Sequence, residues 1–213
     1  MGNLIEDTLY WKNRPLDDTR KDWNEDGNWI EGYKKSASHP HRQVIIDALK
    51  DIPFVNLLEV GCAVGANLSV INKEFPDAIL QGIDINKDAV YEGSTWFSHN
   101  PSIYISEGNI LDLAFADKSF DVVLADAVLM YLDPLEIGKA LDEMSRVARK
   151  AIIIIDWFDK DPNGVIKDFH WARNYDWQLE NRGFKVESRK LTEKEWPAKG
   201  WINNGYLFMA IRK

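Results

Sequence analysis

The chain has one cysteine in 213 residues. A lone thiol, Cys62, closes no internal disulfide, and such scarcity fits a reducing compartment. Positive charge is also short: 26 Lys and Arg stand against 34 Asp and Glu, a formal net charge of −8. With no long basic run, a phosphate-backbone partner is disfavoured, so no nucleic acid is expected. No stretch of eighteen or more apolar residues occurs, which leaves nothing to cross a bilayer as a helix. The segment Met1-Gly2-Asn3-Leu4-Ile5-Glu6-Asp7 has neither a basic head nor an apolar run, and Glu6 stands where a myristoylation signal needs Ser or Thr. A soluble cytoplasmic protein with no membrane partner is the expectation, long enough to bury a proper core. Histidines number four, and no Cys or carboxylate cluster completes a metal site around His39 and His41.

What is present is an apolar run that breaks into glycines: Leu57-Leu58-Glu59-Val60-Gly61-Cys62-Ala63-Val64-Gly65-Ala66-Asn67-Leu68. It reads as a buried strand, a tight turn and a helix N-terminus. Gly61 and Gly65 permit φ > 0 and let a ligand lie against the main chain. Free N–H groups in the first helical turn favour an anionic group there. Glu59 would repel a diphosphate and suits a ligand carrying an ammonium. A dinucleotide fingerprint reads Gly-x-Gly-x-x-Gly. Here Ala63 and Ala66 occupy the later glycine positions, which weighs against a nicotinamide-dependent oxidoreductase.

Strands and helices alternate around this turn. A helix from Pro40 to about Asp51 places Val44, Ile45, Ala48, Leu49 and Ile52 at helical spacing. A first strand begins near Asn56, a second spans 79–84 with a helix to about Ser98, and a third spans 102–106. The fourth, 121–125, leads into a helix over 134–148 whose end carries Arg146, Arg149 and Lys150, suited to the negative end of its dipole. The fifth, 151–156, is unbroken and apolar. A helix over 168–181 ends at Gly183. Segments 184–189 and 206–211 have no helix between them and pair antiparallel. The expectation is an α/β fold: a Rossmann-like doubly wound, mostly parallel seven-stranded sheet with an antiparallel last strand. We expect one domain over 1–213: an arm and helix (1–52), a ligand-binding core (53–156) and a C-terminal half carrying the substrate side (157–213).

Ligands of such sheets sit beyond the carboxyl ends of the strands, at the switch point beside the first. The second strand ends in Gly82-Ile83-Asp84-Ile85-Asn86, where Asp84 suits a ribose and Asn86 is able to cap the next helix by itself. Glu107-Gly108-Asn109-Ile110-Leu111-Asp112 follows the third, and Asp126 closes the fourth before Ala127-Val128-Leu129-Met130-Tyr131-Leu132. These four signals in order, over roughly 54–156, resemble the class I S-adenosylmethionine-dependent methyltransferases. Glu-x-Gly-x-x-x-Gly resembles that family's first motif, with Ala63 where glycine is usual. No Asn-Pro-Pro-Tyr or Asp-Pro-Pro-Tyr follows the fourth strand, which points to the small-molecule branch. The resemblance implies S-adenosyl-L-methionine as cofactor, with Glu59, Gly61, Cys62, Ala63 and Gly65 at the first motif and Asp84 and Ile85 at the ribose. It puts Asn109 and Ile110 at the adenine edge, Asn109 replacing the family's Asp, and Asp126 facing the methionine moiety. Asn109 taken alone reads equally as an ordinary Gly-Asn turn. A catalytically silent cofactor-binding or scaffold protein is the alternative to an enzyme.

Of nine tryptophans, only Trp96 lies between residues 30 and 156. In this fold the flanks supply the lid and substrate pocket, so Tyr33 and Trp157 are substrate-binding candidates. Flanking aromatics stack a planar substrate, close around a sulfonium by cation–π attraction, or form a small core anchoring the N-terminal arm; all three stay open. The Pro40 helix is ~18 Å long at ~1.5 Å per residue, so its N-terminus returns to the cofactor edge. It brings Arg42 toward the cofactor's carboxylate and makes His39 and His41 candidate bases. His170, placed early in the helix after the fifth strand, and Tyr131, just past the fourth, are the other candidates.

Overall fold

The computed structural model describes residues 8–15, 18, 28–161, 164–167 and 170–213. Trp23 and the 168 end of the expected helix lie outside them. In chain order the elements are α1 (Thr8–Asn13), α2 (Trp29–Lys35), α3 (His41–Lys50), β1 (Asn56–Val60), α4 (Ala66–Glu74), β2 (Ile79–Asp84), α5 (Lys87–Trp96), β3 (Ile103–Glu107) and β4 (Phe120–Asp126). Then come α6 (Ile137–Val147), β5 (Ala148–Trp157), β6 (Val165–Lys167), β7 (His170–Ala172), α7 (Tyr175–Glu180), β8 (Phe184–Lys190), α8 (Lys199–Asn204) and β9 (Gly205–Arg212). No helix among the described residues is long and apolar enough to cross a membrane.

Seven strands form one sheet in the order β3-β2-β1-β4-β5-β9-β8. The first five are parallel, β9 runs antiparallel to β5, and β8 antiparallel to β9. This is the expected doubly wound sheet. Its two faces follow the period of two: Leu57, Ile153 and Ile155 enter one apolar cluster, Leu58, Ile152 and Ile154 the other. α3 and α4 cover the first face and α6 and α7 the second. Each fully buried Leu or Ile contributes roughly 1.5–3 kcal/mol by leaving water, which is why the central strands read as continuous apolar runs.

Two expectations need correction. Instead of one helix over 168–181, a hairpin of β6 and β7 precedes the six-residue α7. The β-capable Val165, Ile166 and Trp171 pair across it, and the helix cannot start before Asn174, whose side chain caps the Trp177 N–H. His170 therefore sits on a strand. Arg149 and Lys150 belong to β5, where both reach Asp121 Oδ1 (2.6 and 3.2 Å) rather than the end of α6. Only Arg146 stays in that helix's last turn, bonded to the carbonyls of Leu113 and Phe115.

Candidate functional site

The turn after β1 is wound through three positive φ angles, at Gly61 (69°), Ala63 (47°) and Gly65 (85°). Ala63 accepts a conformation that glycine takes at no cost. Its N–H is held by Asp84 Oδ2 at 2.7 Å, tying the turn to the end of β2. The other Asp84 oxygen takes the Asn86 N–H at 2.8 Å, while Asn86 caps α5 through Ala89 N, as expected of it. Burial pushes the Asp84 carboxyl up, against these backbone donors.

At the ends of β1 and β4 lies a buried polar network. Asp126 Oδ2 accepts from His41 Nε2 (3.0 Å), Arg42 Nη1 (2.9 Å) and Asn67 Nδ2 (2.9 Å). Asn67 Nδ2 also donates to Glu59 Oε1 at 2.6 Å, and Arg42 donates to Asn67 Oδ1 and to both Ser36 oxygens. Asn67 was not among the residues the motif singles out. Its position, in the first turn of α4 two residues past Gly65, was the available signal.

Burial works against ionising Asp126, but the facing His41 and Arg42 outweigh it and hold the carboxyl at about 2. Among the described residues Glu59 has Asn67 but no cation in contact, and burial lifts it to about 8. Burial likewise pushes the His41 imidazole down, more than Asp126 raises it. His39, bonded Nδ1 to Nδ1 with His41, falls to about 4, through burial and then the electrostatic effect of His41 and Arg42. Among the described residues, Glu59 Oε2 and Asp126 Oδ1 are buried acceptors with no donor.

A single cavity runs from this network along the sheet edge. It is lined by Arg42, Glu59, Gly61, Cys62, Ala63, Asp84, Ile85, Asn109, Ile110 and Asp126, together with Tyr33, His41, Tyr131, Trp157 and His170. Two expected residues are off its wall. Gly65 starts α4, and a Cβ there would meet Ile105 and Phe97; His39 stands behind His41. The Arg42 guanidinium is already paired with Asp126, so a ligand carboxylate competes with that pair. Asn109 takes the turn reading at least in part, because its amide oxygen accepts the Leu111 N–H at 2.9 Å.

The far wall is aromatic, and it was legible only as an excess of tryptophan in the flanks. Trp11 meets Tyr131 at 4.8 Å between ring centroids, Tyr131 meets His170 at 5.3 Å, and His170 meets Trp157 at 4.9 Å. Trp157 contacts Trp201 at 6.1 Å, Trp201 stacks on Trp196 at 3.6 Å, and Trp196 on His41 at 4.0 Å. Beneath it, the 3-10 turn Leu129–Tyr131 is held from below. Arg173 donates to the carbonyls of Leu129 and Leu132, and Asp156 accepts from Met130 N and Trp157 N. Burial lifts Asp156 to about 7. α1 crosses the β2 end, where Asn86 Nδ2 donates to the carbonyls of Trp11 and Arg14.

Residues 57–151 match a family model described as a methyltransferase domain. A fatty-acid O-methyltransferase of Mycolicibacterium smegmatis is 35% identical over 78 residues, 36% of this chain and 28% of that protein. The matches span about a third of the length of the curated relatives. Among solved structures, magnesium protoporphyrin IX methyltransferase of Synechocystis, with S-adenosylhomocysteine bound, superposes with a TM-score of 0.64 at 14% identity, covering 89% of this chain and 90% of that one. The [4+2]-cyclase SpnF superposes equally well, with a TM-score of 0.64 at 14% identity over 89% and 84% of the two chains. The glycine turn, the acid at the end of β2, the sheet order and the matched segment agree: over residues 57–151 the chain is similar to a methyltransferase domain, and its fold is the Rossmann-like fold of the class I S-adenosylmethionine-dependent methyltransferases.

Proposed function

We propose that the protein is a single methyltransferase domain that transfers a methyl group from S-adenosylmethionine to an oxygen, nitrogen or carbon of a small molecule. The observation that carries this reading is the pair of buried, donor-less acceptors, Glu59 Oε2 and Asp126 Oδ1, at the ends of adjacent strands. Buried acceptors without donors are costly in a native structure, and an ammonium is the group that satisfies both. The residues present therefore fit the cofactor's methionine end, with Asp84 and the Ile85 and Ile110 side chains suited to its nucleoside.

When bound, S-adenosylmethionine would supply an electrophilic methyl on a sulfonium sulfur, and a substrate nucleophile that carries a proton would need a base to take it. The chain's own share is orientation and exclusion of water. Glu59, Asn67 and Asp126 hold one end of the site, and the aromatic wall keeps water from the other. Tyr131 and His170 line that wall and are the candidates for taking a proton. His41 is bound to Asp126 and serves better to fix that carboxylate than to act as a base.

Fold alone does not carry the reaction, since a [4+2]-cyclase shares this fold. Calorimetry with S-adenosylmethionine and S-adenosylhomocysteine tests the binding step, and formation of S-adenosylhomocysteine from a metabolite extract tests transfer. Heat without turnover favours a silent binding protein; no heat at millimolar ligand defeats both readings.

A further inference from the structure

The seven-ring wall also bears on what the acceptor is, provided the site is a methyltransferase's. Its chemistry is narrow. Arg42 is the only Lys or Arg lining the cavity among the described residues, and Asp126 already holds it. A carboxylate or phosphate entering here finds no free counter-ion of that kind, and burying an unpaired charge is strongly unfavourable. A cation fares no better. Trp196 has its stacking contacts taken by His41, 28° from parallel, and by Trp201, 6° from parallel. Cation–π binding needs an open ring face. The carboxylates of the site are committed too: Asp126 is paired with Arg42, and on the methyltransferase reading Glu59 and Asp126 face the cofactor's ammonium.

The remaining rings meet edge to face, apart from His170 and Trp157, which are tilted at 58°. Trp157 stands at 81° to Trp201, Tyr131 at 68° to His170 and Trp11 at 62° to Tyr131. Ring edges carry the positive side of the aromatic quadrupole and attract the face of another ring. We propose that the methyl acceptor is borne on an uncharged planar aromatic or heteroaromatic ring, clasped by Trp11, Tyr131, His170, Trp157 and Trp201. This deepens the methyltransferase reading and rests on it. It also separates the chain from a relative that acts on fatty acids, since the similarity to that relative covers only 36% of this chain.

The test uses three probes with one ring system and different charge: naphthol, naphthoate and naphthylmethylammonium. Each is titrated into the full chain saturated with S-adenosylhomocysteine, with tryptophan fluorescence and calorimetry as readouts. Naphthol is expected to bind at least about tenfold tighter than either charged probe, the scale of one aromatic contact. Trp201→Leu is expected to weaken naphthol about tenfold while S-adenosylhomocysteine binds as before. If Trp201→Leu does not fold, Tyr131→Leu serves the same purpose. Tightest binding of naphthoate, or of naphthylmethylammonium, overturns the assignment in favour of an anionic or cationic acceptor. Bound S-adenosylhomocysteine with no naphthol binding overturns this proposal alone. Failure of S-adenosylhomocysteine itself to bind takes down the methyltransferase reading and this one together.

Discussion

At the scale of single residues, Glu59 is the most informative group. Its folded pKa of about 8 lies above the ordinary 4.5, so the unfolded chain gives up this proton first. Stability is then lost as pH rises from the unfolded value through the folded one. Glu59→Gln is expected to stabilise the ligand-free protein by roughly 3 kcal/mol near pH 7, and to flatten the fall in stability between about pH 5 and about pH 8. Urea midpoints at those two pH values measure it, and an unchanged slope would show that burial of Glu59 is not in control. A ligand ammonium beside this carboxyl favours its charged form. Binding of S-adenosylhomocysteine near pH 7 is thus expected to release about one proton in the wild type and none in Glu59→Gln. Calorimetry in two buffers of different ionisation enthalpy reads the difference. Gly61 makes a second case. A Cβ there would lie 2.4 Å from Val128 Cγ2, at a φ of +69°. The glycine therefore serves packing as well as any ligand, and Gly61→Ala is expected to cost about 2–4 kcal/mol of stability along with cofactor binding. Denaturation curves matching the wild type would refute that.

At the scale of elements, the 3-10 turn after β4 depends on a residue more than forty positions away. Arg173 is fully buried on the strand side of α7, and its donors satisfy the Leu129 and Leu132 carbonyls. Arg173→Met leaves both carbonyls without that donor. The expected loss is about 2–5 kcal/mol, measured by denaturation. Naphthol binding is expected to weaken too, because the turn carries Tyr131; a variant as stable as the wild type would mean that water replaces the guanidinium without penalty. The hairpin that precedes Arg173 explains why the C-terminal helix was misplaced. Its strands are three residues each, too short to show a period of two above the helical pattern that follows.

At the scale of the whole molecule, α1 lies against the end of β2 and the turn after β4, and α2 against the turn after β1 and α5. α1 contains no buried residue, and α2 buries Trp29 and Ile30 against Val64 and Ala89. Arg14, just past α1, is nonetheless buried over the Trp29 ring, so a chain starting at residue 28 is expected to fold but to lose about 2–5 kcal/mol. Having lost Trp11 from the pocket wall, it is expected to lose methyl transfer. Hydrogen exchange is expected to slow around Tyr33 to Arg42 when S-adenosylhomocysteine binds, as for a lid that orders on its ligand. Unchanged exchange, with full activity in the shortened chain, would make the arm packing alone.

The sequence by itself determined the alternation of strands and helices, the glycine turn after β1 and the acids closing β1, β2 and β4. These follow from local rules: apolar periodicity, the φ range of glycine and the capping chemistry of Asn86. Only the tertiary structure decided that Asn67 bridges Glu59 to Asp126, that Arg42 is already paired, and that Trp11 meets Tyr131 across 120 positions of chain. Such contacts depend on which strands become neighbours. β1 and β4 adjoin although β2 and β3 come between them in the chain, and that order is set by burying both faces of the sheet at once, a global condition no window of sequence contains.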